Sequence, residues 1–360
     1  MEKFAFMLHP LTVEDMRHVS SLLKFVPDSL LETVLKHKKP FTVSHITGVK
    51  SEYAEAEGWF VGCPLTARQM LELPEEFVIE RIIETGKIAE ELGAKILGLG
   101  AFTSIVGDAG ITVAEHLKMA VTSGNSYTVA TALEGTREAA RLMGKELRSA
   151  EVAIVGASGS IGAACARILS REVKHIHLVA RKTAPLEELA QELNGRSAAT
   201  FRVSNDVKRS LRCADVVIAV TSAVDCIINP ADLKSGAVVC DVARPRNVSR
   251  EVAALRNDVL VIEGGVIRVP GSVDFHFNFG FPPQTSYACM AETMILALEG
   301  RYENFTLGRN LLPSQIDEIS ALAQKHGFSL AGFRNFEQAV TQETIARIRN
   351  NVRMQERSFT

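Results

Sequence analysis

A glycine-rich stretch and one cysteine are the parts of this chain whose residue types and spacing could do chemistry. The stretch at 152–169 reads "VAIVGASGSIGAACARIL": an apolar run, the pattern G-x-x-G-x-x-G, and an alanine-rich segment. Between a strand and a helix, such glycines let the backbone approach a pyrophosphate, which then faces the helix N-terminus. The stretch therefore predicts a dinucleotide-binding turn. Its predicted contact residues are Gly156, Ser158, Gly159, Ser160, Ile161 and Gly162.

The residues after the following strands indicate which dinucleotide binds. The second strand ends in "VARK", so Arg181 and Lys182 stand where an NAD-binding domain carries an acidic residue. Two cations suit the 2′-phosphate of NADP(H), which is the predicted cofactor. Two further pairs follow later strands and are expected at the same sheet edge, near the ribose and the nicotinamide. These pairs are Thr221 with Ser222 and Gly264 with Gly265.

Cys289 has the most suggestive setting of the six cysteines. It lies in the first turns of a predicted helix that follows Pro282 and Pro283. Backbone N–H groups and the helix dipole at such a position lower the pKa of a thiol. The other five cysteines lie in or beside apolar strands and helices, where a cysteine is usually a small buried hydrophobe. Position alone therefore makes Cys289 a candidate nucleophile.

The composition argues against several other functions. The formal net charge is −2, so bulk charge favours neither nucleic acid nor an anionic membrane as a partner. The sequence shows no targeting segment and no transmembrane segment, since charges interrupt every long apolar run. The cysteines are scattered without a Cys-x-x-Cys pair, and the nine histidines do not cluster. This pattern predicts reduced thiols, no metal site and a cytoplasmic location.

The order of predicted elements indicates an α/β fold in three parts. Residues 1–149 mix strands and helices and are expected to form an N-terminal α/β substrate domain. From 150 to 268, strands and helices alternate strictly, which predicts an NADP-binding Rossmann-type, doubly wound parallel sheet. Residues 269–360 hold a substrate loop, the helix of Cys289 and further C-terminal helices.

The last of these helices is predicted at 335–357. Five apolar residues there roughly follow helical spacing, as in a helix with one apolar face. They are Phe336, Val340, Ile345, Ile348 and Val352. We expect a packing helix, or a dimer helix through which the chain forms a homo-oligomer.

Several segments resemble the long-chain acyl-[acyl-carrier-protein] reductase family, best known from cyanobacteria. They are "LGAFTSIVG", "TSGNSYT", the glycine turn, "EGGV" and above all "YACMAETMILALEGRYENFTLGRN". The resemblance runs roughly from Leu8 to Phe333, although the loop at 269–284 resembles the family poorly and the tail after Arg334 has no clear counterpart. In that family the cysteine of the last motif takes the acyl group, which implies that Cys289 is the nucleophile.

The resemblance implies an enzyme that reduces a fatty acyl thioester to an aldehyde with NADPH. Cys289 would attack the thioester of an acyl carrier protein or of acyl-CoA, and hydride transfer would then release the aldehyde. An aldehyde-consuming enzyme is an expected partner. Small polar residues beside apolar runs are the candidates for oxyanion donors and catalytic roles: Asn125 and Thr128 from "GNSYT", and Thr103 and Ser104 from "FTSIVG". His276 and Tyr287 could supply a proton.

Two other functions are compatible with the same residues. A shikimate- or quinate-type NADP-dependent alcohol dehydrogenase also joins an α/β domain to a nucleotide-binding domain, but it needs a lysine–aspartate pair and no thiol. A non-catalytic NADP(H)-binding protein is the second alternative, favoured only by the divergent loop at 269–284. Replacing Cys289 separates the reductase from the first alternative, and turnover of NADPH with any acyl thioester excludes the second.

Overall fold

The computed structural model of the protein describes residues 1–19 and 25–358. In chain order, the strands are β1 (Glu2–Leu8), β2 (Phe41–Lys50), β3 (Glu55–Gly62), β4 (Ile96–Gly98), β5 (Ala120–Thr122), β6 (Glu151–Val155), β7 (His175–Val179), β8 (Thr200–Ser204), β9 (Val216–Ala219), β10 (Val238–Asp241), β11 (Leu260–Glu263), β12 (Val266–Arg268), β13 (Gly271–Asp274), β14 (Thr285–Tyr287), β15 (Ser329–Leu330), β16 (Phe333–Asn335) and β17 (Gln338–Val340).

The helices are α1 (Val13–Val19), α2 (Asp28–His37), α3 (Ala67–Glu72), α4 (Glu75–Glu91), α5 (Ile111–Glu115), α6 (Asn125–Leu142), α7 (Ser160–Leu169), α8 (Ala184–Asn194), α9 (Val207–Cys213), α10 (Arg250–Leu255), α11 (Ala288–Leu298), α12 (Pro313–His326) and α13 (Gln342–Ser358). Within the two described ranges, none of these helices combines the length and the apolar character needed to cross a bilayer.

The chain divides into two units. Unit 1 comprises Met1–Tyr127, Ile267–Asn310 and Asp317–Ser329, and unit 2 comprises Thr128–Val266, Leu311–Ile316 and Leu330–Thr360. This division differs from the predicted boundaries at 149 and 268. Helix α6 belongs mostly to unit 2, and the predicted third part, 269–360, is shared between the two units because its segments complete both cores.

Unit 1 is built on a six-stranded mixed sheet in the order β13-β2-β3-β1-β4-β5. β3, β1, β4 and β5 are parallel, whereas β2 pairs in an antiparallel manner with both of its neighbours, β3 and β13. The apolar helix α11 packs on β1 and β4. Gly98 permits this close approach, since a Cβ atom there would lie 2.0 Å from Thr293 Oγ1. The loops that follow the four parallel strands share one edge of the sheet.

Unit 2 is built on a parallel sheet in the order β11-β10-β9-β6-β7-β8. Numbered from β6, this is the doubly wound order 3-2-1-4-5-6 of dinucleotide-binding domains. Alternate residues of β6 enter two apolar clusters, with Val152 and Ile154 in one and Ala153 and Val155 in the other. The predicted fold class is thus confirmed, including all six strands of the alternating region.

The C-terminal segment differs from its prediction. A helix was expected over 335–357, but β16 and β17 pair as a hairpin whose two loop residues, Phe336 and Glu337, have φ of 47° and 67°. Such angles suit a two-residue hairpin turn and break a helix. α13 therefore starts only at Gln342, and Ile345 and Ile348 are buried in the core of unit 2. This burial corresponds to the packing role that was predicted for them.

Candidate active site and cofactor cradle

Cys289 is the second residue of α11, directly after β14. The helix begins at Ala288, four residues later than the sequence pattern predicted, because β14 occupies the preceding residues. Tyr287 precedes the helix with extended backbone and makes no side-chain capping bond. The N–H groups of the first turn therefore have no partners within the helix, and a negative charge is favoured there.

The other cysteines offer a contrast to this position. Burial raises the pKa of Cys63 to about 11 and the pKa of Cys240 to about 12. Burial also raises the pKa values of Cys165 and Cys226. Cys289 is half-buried, and none of the six cysteines, all within the described ranges, forms a disulfide. A nucleophilic thiolate is therefore disfavoured at these four positions, three of which are buried.

The turn between β5 and α6 lies against Cys289. Gly124 has φ of +72°, and a Cβ atom added to it would stand 2.4 Å from the Cβ and 2.6 Å from the Cα of Cys289. Only glycine fits at this position, for both its angle and its lack of a side chain. The first turns of α6 and α11 are thereby brought together at the carboxyl edge of the unit 1 sheet.

Asn125 follows Gly124 and starts α6. Its side chain is 4% exposed, and its amide Nδ2 has no hydrogen-bond partner among the described residues. Leaving a buried donor unpaired costs about 1–3 kcal/mol, so such a group in a native protein calls for an explanation. An acceptor supplied by a substrate would satisfy it. Sequence reasoning had selected Asn125 as an oxyanion donor.

The other predicted oxyanion donors have different surroundings. Thr103 and Ser104 lie in a short 3-10 turn, where Thr103 Oγ1 donates to the carbonyl of Gly100 (2.8 Å) and Ser104 Oγ to that of Ala101 (2.7 Å). A hydroxyl has one proton to give, so these two groups serve their own turn. Thr128 is half-buried and lies one turn after Asn125 on α6.

Glu292 is a buried carboxylate that sequence reasoning missed. It lies one turn after Cys289 on α11 and is 0% exposed. Ser126 Oγ donates to it at 2.6 Å, the Tyr127 N–H at 2.8 Å and Thr306 Oγ1 at 3.1 Å, and Thr122 Oγ1 also donates to it. The sequence did contain a signal, since Glu292 is the one charged residue within the otherwise apolar and small-residue run of α11.

An aromatic cluster precedes α11. The loop between β13 and β14 packs its rings on one another and on Phe60 of β3, with centroid distances between 4.4 and 6.3 Å. The other members of the aromatic cluster are Phe275, Phe277, Phe279, Phe281 and Tyr287. All of these except Phe275 are half-buried, so part of their apolar surface is accessible. The cluster ends two residues before Cys289.

The two predicted proton donors are separated by this loop. Tyr287 lies at the start of α11 and its ring centroid is 4.4 Å from that of Phe281. His276 is exposed beside β13, where its Nδ1 donates to the carbonyl of His45 at 2.9 Å and its Nε2 lies 3.4 Å from Asp274. Tyr287 is therefore close to Cys289 along the chain, whereas His276 is held against the antiparallel edge of the sheet.

In unit 2, the glycine turn connects β6 to α7 as predicted. A Cβ atom at Gly156, whose φ is +96°, would lie 2.7 Å from the carbonyl oxygen of Val220, and one at Gly162 would lie 2.3 Å from that of Gly156. Ser158 and Gly159 are exposed, and α7 begins at Ser160, followed by Ile161. The N–H groups of this first turn have no partners within the helix, so the turn fits a pyrophosphate.

The remaining predicted cofactor residues lie at the same edge of the sheet. Arg181 and Lys182 are exposed after the end of β7. Thr221 and Ser222 follow β9, and Gly264 and Gly265 follow β11. Gly264 is packed so closely that a Cβ atom would lie 2.7 Å from a methyl carbon of Val242.

Asn247 is a second buried amide that sequence reasoning missed. Its Oδ1 accepts from the Thr221 N–H at 2.9 Å, its own N–H donates to Asp241, and its Nδ2 has no partner among the described residues. Thr221 follows β9 and Asp241 ends the neighbouring strand β10, so Asn247 lies on the half of the sheet edge beyond β6, away from Arg181. An unpaired donor here fits a polar cofactor, and no short motif marks it in the sequence.

Comparisons with known proteins match either part of the chain or most of it. Residues 137–263 match the model of the shikimate/quinate 5-dehydrogenase family. The chain is 31% identical to aminotransferase PigE of Serratia sp., over 96% of this chain and 42% of that protein. It is 28% identical to the long-chain acyl-[acyl-carrier-protein] reductase of Synechococcus elongatus, over 80% of this chain and 85% of that protein.

A solved structure of similar extent is that of L-tryptophan dehydrogenase from Nostoc punctiforme, with 13% identity and a TM-score of 0.42 over 99% of this chain and 89% of that one. The chain spans 42% of the length of PigE, so that protein's name describes a longer molecule. The names of the matching family and of the Synechococcus elongatus protein describe a dehydrogenase and a reductase, respectively.

Proposed function

We propose that this chain reduces a fatty acyl thioester to an aldehyde with NADPH, through an acyl-enzyme intermediate on Cys289. One observation carries the proposal. The cysteine that opens α11 lies against Gly124, and the next residue, Asn125, has a buried amide donor without a partner. A nucleophile beside an unsatisfied donor is the arrangement that acyl transfer requires.

In general terms, the proposal is that the protein is an oxidoreductase that uses a nicotinamide cofactor. It is supported by the doubly wound sheet with its glycine turn and by similarity to the acyl-[acyl-carrier-protein] reductase of Synechococcus elongatus. The finer parts are the thioester substrate and the choice of NADPH over NADH. They are supported by the surroundings of Cys289 and by the cations that follow β7.

Cys289 performs the first step as a thiolate. Its sulfur attacks the acyl carbon, a new carbon–sulfur bond forms, and the bond to the thiol of the carrier protein or coenzyme A breaks. The released carrier thiolate takes up a proton. The product of this half-reaction is an acyl thioester on Cys289, which needs no cofactor to form.

Asn125 stabilises the negative charge that develops on the carbonyl oxygen. Its Nδ2 donates a hydrogen bond to the oxyanion, assisted by the N–H groups of the first turn of α11. Thr128 lies one turn later on the same helix and is the second polar group assigned to substrate. Removal of one such donor typically lowers the rate of acyl transfer about 100-fold or more.

NADPH, when bound, would supply a hydride to the acyl carbon; the bond between that carbon and the Cys289 sulfur would then break, releasing the aldehyde and returning the thiolate. The part of unit 2 is to hold the dinucleotide. The N-terminus of α7 and the turn of Gly156 and Gly159 receive the pyrophosphate, while Arg181 and Lys182 receive the 2′-phosphate. Thr221, Ser222, Gly264, Gly265 and Asn247 contribute to the nicotinamide half.

The aromatic cluster supports a substrate whose thioester carries an apolar acyl chain. Its half-buried rings lie directly before Cys289 in the chain and offer apolar surface that an alkyl chain can cover. Covering that surface contributes about 0.8 kcal/mol per buried methylene. A partner that consumes the aldehyde completes the proposal. An enzyme of amino-group transfer acts on a carbonyl compound, and PigE, which bears that name, contains a region similar to this chain.

The proposal is tested by mixing the protein with NADPH and a palmitoyl thioester of acyl carrier protein or coenzyme A. We expect consumption of NADPH and formation of an equal amount of hexadecanal. Cys289→Ala should abolish both, whereas Cys63→Ala, which alters a buried thiol, should retain them. NADPH consumption that persists in Cys289→Ala would contradict the proposal.

A shikimate-type alcohol dehydrogenase is the second candidate, because the matching family model covers residues 137–263. That region lies within unit 2 and contains the glycine turn, so it supports the cofactor more than the substrate. Oxidation of shikimate or quinate with NADP that is unchanged in Cys289→Ala would favour this candidate. A protein that binds NADP(H) but turns over neither class of substrate would be the non-catalytic alternative.

A further inference from the structure

The carboxylate of Glu292 joins α11 to residues 122–127, which run from the last residue of β5 into the first turn of α6. Three of its four donors belong to this segment: Thr122, Ser126 and Tyr127. Thr122 precedes the pair Gly124–Asn125 and the other two follow it. The segment that touches Cys289 is therefore held on both sides by one side chain.

Glu292 is the hydrogen-bond acceptor in this arrangement. All four partners are donors, and a carboxyl group that has lost its proton has about four positions at which it accepts hydrogen bonds. Burial is the larger effect and raises the pKa of Glu292 above its ordinary value, although these hydrogen bonds lower it. The N–H of Tyr127 belongs to the first turn of α6, where a negative charge is stabilised by the helix dipole.

We propose that Glu292 is a positioning residue that holds the amide of Asn125 in place for the reaction at Cys289. The inference rests on the proposed function. Cys289 and Glu292 are fixed to each other by one turn of α11, and Glu292 is fixed to both flanks of Asn125 by hydrogen bonds. The carboxylate thus sets the donor relative to the nucleophile without touching the substrate.

Burying the carboxyl group of Glu292 costs folding free energy that an apolar side chain would not cost. A buried carboxyl group loses its hydration, and replacing buried polar or ionic groups by apolar ones of similar volume is often neutral or stabilising. An apolar residue at position 292 could not accept these hydrogen bonds, so the geometry of residues 122–127 would no longer be fixed. Glu292 should therefore matter more for the oxyanion donor than for the folded state.

The test compares two reactions of the same sulfur. Acylation of Cys289 by palmitoyl-CoA without NADPH develops an oxyanion, whereas alkylation by iodoacetamide does not. We expect Glu292→Gln to slow acylation by about 10-fold or more, with alkylation changed by less than about twofold. Ser126→Ala, which removes one of the four hydrogen bonds, should show a smaller effect with the same selectivity and keeps the inference testable if Glu292→Gln fails to fold.

Two controls complete the test. Glu299→Gln alters a carboxylate just beyond the other end of α11, where it binds Lys325 and His326, and it should leave both rates unchanged. In an Asn125→Ala background, Glu292→Gln should slow acylation no further, because the donor that it positions is gone. Equal loss of acylation and alkylation, or additive loss in the double variant, would overturn the inference. A wild-type protein that alkylates but never acylates would overturn the proposed function and this inference with it.

Discussion

The backbone of Gly124 lies so close to Cys289 that a Cβ atom on Gly124 would stand 2.4 Å from the Cβ of Cys289. Contacts this short do not occur between real side chains, so any other residue at 124 would displace the first turn of α11 or the start of α6. The packing of Cys289 against the segment that carries Asn125 therefore requires that residue 124 have no side chain.

Gly124→Ala should therefore disturb Cys289 more than an ordinary glycine replacement does. Gly300 is a matched control, since its φ is +69°, close to the +72° of Gly124, but a Cβ atom there would meet nothing within 4 Å. Both variants bear the left-handed strain of about 1–2 kcal/mol, and Gly124→Ala adds an overpacking cost of about 1–3 kcal/mol. Urea unfolding and the rate of Cys289 acylation measure the two effects. Equal losses of stability and of acylation rate in both variants would show that the close packing of residue 124 against Cys289 has no role.

Replacing the two cationic side chains that follow β7 should reduce the preference for NADPH over NADH. In the variant with Arg181→Ala and Lys182→Ala, we expect the Kd for NADPH to rise about 10- to 100-fold, the loss of charge-assisted hydrogen bonds worth about 1.5–3 kcal/mol. The Kd for NADH should change little, because NADH has no 2′-phosphate. Lys174→Ala, at the other end of β7, is the control. Isothermal titration calorimetry with each cofactor measures these Kd values. An equal rise in the Kd for NADPH and for NADH would contradict the assignment.

Phe279→Ala should shift the preference for acyl-chain length. Phe279 contacts Phe60, Phe275, Phe281 and Tyr287, with centroid distances between 5.1 and 6.3 Å. Removing its ring should raise the KM for palmitoyl substrates more than for butyryl substrates, since only the longer chain extends along the cluster. Phe25→Ala, at a residue that is 91% exposed, serves as the control. An equal rise in KM for the palmitoyl and butyryl substrates would show that the aromatic cluster does not bind the acyl chain.

His9 should make folding stability depend on pH. Burial lowers its pKa to about 4, its Nδ1 donates to the carbonyl of Pro10, and its Nε2 accepts from the Phe102 N–H. Between pH 6.5 and 4 the unfolded chain binds a proton that the folded one does not, so stability falls as the pH falls through this window. Because the ring is partly exposed, the loss is on the order of 2 kcal/mol.

The measurement for His9 is urea unfolding at pH 7, 5.5 and 4.5 for the wild type and for His9→Gln. The variant should be less stable at pH 7, since glutamine replaces the ring imperfectly, but its stability should fall less on acidification. Identical slopes for both proteins would show that His9 does not titrate as its surroundings indicate.

The fold of unit 2 could be predicted from sequence because its strands are buried on both faces and therefore appear as short apolar runs. Cys289 could be selected as a candidate for a similar reason, since helix starts and family motifs are local. Glu292 was not found because three of its partners lie more than 160 residues away in the sequence, and Asn247 was not found because no short motif marks it. Thr122 lies 170 residues from Glu292 in the chain, and no pattern of spacing records that pairing.

The C-terminal hairpin shows another limit of local patterns. Phe336 and Val340 have helical spacing to later apolar residues, yet Phe336 and Glu337 adopt positive φ angles that sequence gives no reason to expect. Glu337 accepts from Arg246 at 2.6 Å and from Arg250 at 3.2 Å, and both guanidinium groups lie over the ring of Phe336. These tertiary contacts within unit 2 override the local preference of the turn.

Intact-protein mass spectrometry after incubation with palmitoyl-CoA, without NADPH, tests the central claim most directly. We predict that the wild-type protein gains the mass of one palmitoyl group in place of a hydrogen, that Cys289→Ala gains none, and that added NADPH removes the group as hexadecanal. A wild-type protein that stays unmodified, or a palmitoyl adduct that persists in Cys289→Ala, would contradict the account.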